Sequence, residues 1–140
     1  MQNRILKFRA WIKKNVLLGG RFESYLSDEF TFNNFDGNYF IPDGCDLEDL
    51  EIMQYTGLKD KNGKEIYEGD ILKTDWQHDG AINRDYKLKG TVYFGVEELS
   101  YRLDFGEGSC PLSTYEREEL DEETIEVIGN IYENPELLTL

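Results

Sequence analysis

Leu6, Phe8, Ala10 and Ile12 alternate with Lys7, Arg9 and Trp11, the period-two spacing of a strand with one face buried. Thr91, Val92, Tyr93 and Phe94, bounded by Gly90 and Gly95, are β-branched or aromatic and read as a second strand. Leu99, Tyr101, Leu103 and Phe105 alternate with polar neighbours, so a hairpin across Gly95 to Glu98 is expected. A further alternation sets Ile125, Val127 and Gly129 against Glu126, Ile128 and Asn130. Asn134-Pro135-Glu136 then offers a cap and a first helical position.

The clearest local pattern runs from Tyr55 to Lys73. A strand enters it with either Leu50, Ile52 and Gln54 or Glu51, Met53 and Tyr55 on its buried face. Asn62-Gly63, between Lys61 and Lys64, suits the two successive positive φ angles of a type I′ hairpin tip. Glu68-Gly69 follows as a second turn, which leaves Ile66 or Tyr67 as the buried anchor between them. Asp70 stands straight after that turn, where a carboxylate can accept backbone N–H groups.

Elsewhere the pattern is broken. Phe22 to Phe40 is aromatic but punctuated by Asn33-Asn34 and Asp36-Gly37, the chemistry of turns between short strands. Asp46 can cap a single helical turn through Leu47 and Leu50. Ser113 and Glu116 have capping-box spacing, so residues 111–124 read as a short helix or a mobile acidic loop. No repeat or linker divides the sequence, and one domain over residues 1–140 is expected.

Composition narrows this to a mainly β chain. With 140 residues, 39% of them apolar and 14% aromatic, there is material for one core without disulfide staples. Thirteen Gly and three Pro suit a chain that turns often. Apolar runs such as Val16 to Leu18 fall far short of the ~20 residues that span a bilayer. The basic start lacks a signal-peptide pattern, so a cytoplasmic location is expected. Cys45 and Cys110 are the two cysteines and read as reduced, idle thiols.

The net charge of −14 is unevenly spread: residues 1–21 hold six basic groups and no acid. Between Glu97 and Glu126 eleven acids face two arginines. A field of this sign repels phosphate, so nucleic acid is a disfavoured partner.

Tests for chemistry return little. Gly106 and Gly108 are followed by Pro111 where a dinucleotide fingerprint needs glycine. In the stretch beginning Asp60-Lys61-Asn62-Gly63 the glycine comes two places too early for a calcium loop, and Ile71 sits where the last ligand belongs. His78, the one histidine, lies in the polar stretch Trp76 to Gly80, near Asp75 and Asp79 but without a nucleophile motif. No catalytic, cofactor-binding or metal-ligating residue is therefore expected. The aromatics Phe22, Tyr25, Phe30, Phe32, Phe35, Tyr39 and Phe40 read as core and oligomer interface, with a stacking platform as the alternative.

Three blocks taken together resemble the YopX family of phage and prophage proteins. They are Leu6 to Trp11; Gln54 to Asp60 continuing through Ile66 to Ile71; and Val127 to Leu138. Phe8, Arg9, Trp11, Tyr55, Thr56, Gly57, Asp60, Asn62, Gly63, Ile66, Tyr67, Gly69, Asp70, Gly129, Asn130, Asn134 and Pro135 are the signature positions, with structural roles expected. Ile12 departs from the acidic residue that commonly follows the Trp, and segments near 22–46 and 76–86 are variable. The resemblance implies an SH3-like barrel with β extensions in a temperate phage or prophage of a bacterial host. It implies no activity.

A non-enzymatic accessory protein that binds a host or phage protein, or itself, is the leading expectation. Nucleic-acid binding is the alternative, through Lys7, Arg9, Lys13, Lys14 and Arg21 on one exposed side. An acidic mimic of DNA is a variant that needs carboxylates in two rows.

Overall fold

The computed structural model describes residues 6–13, 25–27, 50–74, 88–106, 108–113 and 125–138. These form nine strands: β1 (Phe8–Ile12), β2 (Tyr25–Ser27), β3 (Leu50–Lys59), β4 (Glu65–Tyr67), β5 (Asp70–Thr74), β6 (Leu88–Gly95), β7 (Ser100–Asp104), β8 (Ser109–Pro111) and β9 (Ile125–Asn130). A 3-10 turn follows at Pro135–Leu138. The strands make two antiparallel sheets, ordered β2-β1-β3-β4 and β8-β7-β6-β5-β9. The chain is thus mainly β, and among the described residues neither sheet closes into a barrel. His78, Cys45, Lys14, Arg21, residues 114–124, segment 76–86 and all of 22–46 except 25–27 lie outside the described residues.

The chain divides into two compact units, Met1–Tyr55 and Thr56–Leu140, with the boundary inside β3. In the first unit β1 pairs with β2 on one side and β3 on the other, Ala10 opposite Ile52 and Ile12 opposite Leu50. Ala10, Ile12 and Leu50 form a buried cluster on which Phe8 packs. The alternation in β1 is incomplete, however: Arg9, expected on the exposed side, is buried. Its cross-strand neighbour is Met53, and its Nη2 lies 3.7 Å from the Met53 sulfur. The apolar stem of arginine packs as well as a hydrophobe does. Neither phase proposed for β3 holds alone, because Leu50, Met53 and Tyr55 are all buried while Ile52 is exposed.

In the second unit the five-stranded sheet carries one apolar row. Val127 stands opposite Leu72, Val92 opposite Leu103, and Leu103 opposite Cys110. Leu72, Val92, Leu103 and Cys110 join Ile66, Leu112 and Ile125 in the main core, with Leu58, Tyr101, Phe105 and Val127 packed on it. Full burial of an aliphatic side chain such as Leu72 or Ile66 stabilises by roughly 1.5–3 kcal/mol. Gly90 is opposite Leu72 in this row, and a Cβ there would meet Leu103 Cγ at 2.6 Å. The glycine makes room for the leucine.

Two sequence alternations fail here for physical reasons. Leu99 belongs to the turn rather than to β7, exposed and with φ of 53°. In β9 the register shifts between Ile71 and Leu72, which pair with Gly129 and Val127 and leave Ile128 as a bulge. A bulge inverts the phase of everything after it. Gly129 therefore leaves the face of Ile125 and Val127, and Asn130 arrives opposite Asp70.

Candidate functional site

Asp60 organises the β3–β4 turn. Its Oδ1 accepts the amides of Asn62 (2.8 Å) and Lys64 (2.9 Å), and its Oδ2 accepts the amide of Val127 in β9 (2.9 Å). The Gly63 amide donates to the Asp60 carbonyl at 2.9 Å and the Lys61 amide to the Ile125 carbonyl at 3.1 Å. Only Gly63 of the Asn62-Gly63 pair has a positive φ, 77°. The tip is thus a type I turn closed by a glycine bulge and not the expected type I′ turn. Asx capping by Asp60 supplies the bonds that select this alternative. Burial pushes the Asp60 carboxyl up, but the Val127, Lys64 and Asn62 amides, helped by the Lys64 charge, outweigh it and leave its pKa below the usual 3.8.

Asp70 and Asn130 form the second centre. The Asp70 Oδ2 accepts the Tyr67 amide at 2.8 Å, capping the Glu68-Gly69 turn. Between the anchors Ile66 and Tyr67, both are buried. Gly69, at φ 82°, donates to the Val92 carbonyl (2.8 Å) and accepts from the Ile131 amide (2.9 Å). Opposite Asp70, the Asn130 Oδ1 accepts the amides of Tyr132 (3.0 Å) and Glu133 (2.9 Å) while its Nδ2 donates to Glu133 Oε1 at 2.7 Å. The Asn134 carboxamide turns back to accept the Asn130 amide at 3.3 Å, and Pro135 opens the 3-10 turn as its fixed φ suits. A Cβ on Gly129 would press on that carboxamide and on Leu137. At the start of the hairpin the Thr56 hydroxyl donates to the Ile66 carbonyl (2.8 Å) and accepts the Leu58 amide across Gly57. These polar signature side chains converge on backbone groups. Phe8 and Trp11 lie along β1, both half-buried.

Among the described residues, three of the six exposed large apolar side chains, Phe94, Val96 and Leu99, belong to one hairpin, the others being Leu6, Ile52 and Leu138. In the β6–β7 hairpin Gly95 pairs with Ser100, leaving the loop Val96-Glu97-Glu98-Leu99. Val96 is 75% and Leu99 77% exposed, with Phe94 39% exposed beside them. The Phe94 ring meets Tyr101 edge to face, centroids 5.2 Å apart. Arg102 braces the base, donating from Nε to Ser109 Oγ (3.1 Å) and from Nη2 to the Ser109 carbonyl (3.3 Å), with Glu98 at 3.9 Å. In the sequence, the alternation of Leu99 with Tyr101, Leu103 and Phe105 hides this loop.

Of the basic residues proposed to meet phosphate, Arg9 is buried, Lys7 is exposed, and Lys13 is exposed but 2.6 Å from Glu51, so they do not form one exposed basic side. Cys110 is buried within the core. Among the described residues no three His, Cys, Asp or Glu side chains are grouped to hold a metal ion. No helix among them is long and apolar enough to cross a membrane.

Fold and residues together define a mainly β protein whose signature polar groups hold turns around one strand, β9. The chain belongs to the YopX family, whose model, described as YopX protein, matches residues 7–139. It is also similar to the crystal structure of protein EF1440 from Enterococcus faecalis, at 29% identity and a TM-score of 0.55, over 97% of this chain and 99% of that one. No curated protein matches the chain.

Proposed function

We propose that this chain is a non-enzymatic protein-binding module, an accessory protein of a phage or prophage working in the bacterial cytoplasm. The observation that carries the reading is the β6–β7 loop, where Val96 and Leu99 stand in solvent beside Phe94. The three lie within six positions of one hairpin, and contiguous apolar exposure marks interaction surfaces. The polar signature residues Asp60, Asp70 and Asn130 support it from the other side, since their oxygens are engaged by backbone amides of the fold itself. A nucleic-acid reading loses support from the burial of Arg9 and the Lys13–Glu51 pair.

The test is quantitative affinity capture from a lysogenic host lysate with the full chain. The partner recovered is then purified and titrated against the chain by calorimetry. Saturable binding at defined stoichiometry is the expected result. Absence of any saturable partner across low and moderate salt overturns the reading.

A further inference from the structure

We infer that the β6–β7 hairpin tip is the inserting element of that interface, and that it enters an apolar pocket rimmed by lysine or arginine on a partner protein. This rests on the protein-binding reading above. Leu99 carries two costs that nothing among the described residues offsets. Its φ of 53° is a conformation that Gly, Asn and Asp adopt far more readily than Leu. Its side chain is also 77% exposed, so packing among the described residues compensates little. Strained backbone of this sort clusters at ligand clamps and other functional sites.

The tip is built to be stiff. Gly95 and Ser100 close the hairpin, the Phe94 and Tyr101 rings lock at 73°, and Arg102 ties β7 to Ser109 of β8. A Cβ on Gly95 would collide with the Glu98 carboxylate, so the glycine lets that side chain lie back over the hairpin toward Arg102. A projection held this way loses little entropy on insertion, and Val96 and Leu99 are its anchors through the apolar area they would bury.

Charge selects the occupant. Glu97 and Glu98 sit between the two anchors, both exposed, on a chain of net charge −14. An anionic lipid surface or a nucleic acid would be repelled. A second copy meeting it tip to tip would bring two Glu pairs face to face. A protein pocket with a basic rim satisfies both the apolar anchors and the acids between them.

The experiment uses the full chain, wild type beside Val96→Ser/Leu99→Ser, Glu97→Lys/Glu98→Lys and Leu99→Asn, each first shown to unfold at a wild-type-like or higher denaturant midpoint. Each is used for capture from the lysogen lysate, and the purified captured protein is titrated at two salt concentrations. Val96→Ser/Leu99→Ser is expected to weaken binding at least about tenfold. The lysine pair is expected to weaken it at low salt and to remove most of the salt dependence. Leu99→Asn keeps the backbone conformation and should still weaken binding, which separates the anchor from the turn.

Capture that is equal for wild type and Val96→Ser/Leu99→Ser overturns this inference while leaving the protein-binding reading intact; no saturable capture at all overturns both. Binding improved by the lysine pair overturns the basic rim. Sedimentation showing a wild-type dimer that the serine pair converts to monomer overturns the partner class in favour of a second copy.

Discussion

Asp60 and Asn130 hold comparable stations at strand β9, yet one is an acid and the other an amide. Asp60 sits in the β3–β4 turn and faces three donors, the amides of Asn62, Lys64 and Val127. Asn130 ends β9 and faces two donors, the amides of Tyr132 and Glu133, together with one acceptor, the Glu133 carboxylate. A carboxylate accepts on both oxygens, whereas a carboxamide accepts on one atom and donates from the other. The inventory of neighbours therefore dictates the residue at each place. Swapping the two types is the direct way to break the comparison.

The largest effect is expected at Asp60. Asp60→Ala leaves three amides without their acceptor and should cost roughly 3 kcal/mol, read as a lowered urea midpoint at neutral pH. Asp60→Asn should cost about 2 kcal/mol, because the Nδ2 that replaces one oxygen meets a donor. The pH dependence has a defined sign. The folded pKa of Asp60 lies below its usual 3.8, so its ionisation contributes stability that is complete above the unfolded pKa and is lost as pH falls through the folded one. The gap between wild type and Asp60→Asn should accordingly narrow below about pH 4. A gap unchanged down to pH 2 would sink this account.

Asn130→Asp comes next. It trades the donor to Glu133 for a second carboxylate, opposite Asp70 across the ladder. A loss of about 2 kcal/mol is expected at neutral pH. Adding Glu133→Gln should recover part of it, since the new amide can donate to the introduced acid. If the double variant is no more stable than the single one in urea melts, the Glu133 contact is not what demands an amide at residue 130.

These two residues also mark what could be read from the sequence. Asp60, Asn62-Gly63 and Asp70 announce turns through local chemistry, and the strands around them follow from their alternation. Asn130 stood among the signature positions, but its place opposite Asp70 could not be read because it depends on the bulge at Ile128, formed in pairing with β5. Arg9 was misplaced for a related reason: its burial needs Met53, a strand away. Leu99 continued an apolar alternation with Tyr101 and Leu103, and nothing local tells a strand residue from the last residue of a four-residue loop. Local signals wrote the turns; pairing between distant segments decided which side chains face inward.

Gly63 gives a smaller effect and isolates backbone from side chain within the Asp60 turn. With φ at 77° and nothing within 4 Å of a built Cβ, Gly63→Ala meets no steric neighbour. Its cost should be the conformational one alone, about 1 kcal/mol. A much larger loss would mean that the turn tolerates no adjustment around the Asp60 bonds. Gly63→Asn should fall between the two, because Asn adopts this region more easily.

The smallest expected effect has the opposite sign, and it falls on a turn that has no capping residue of this kind. Leu99 adopts a left-handed conformation at φ 53° with its side chain in solvent. Asn in that position relieves the backbone penalty without adding the unfolded-state freedom that Gly would bring, so Leu99→Asn should stabilise by about 0.5 kcal/mol. A raised midpoint with an unchanged denaturant slope is the expected reading. Equal or lower stability would show that Leu99 is already accommodated by its own fold, and would place this turn with those of Asp60 and Asn130, where each residue suits its neighbours.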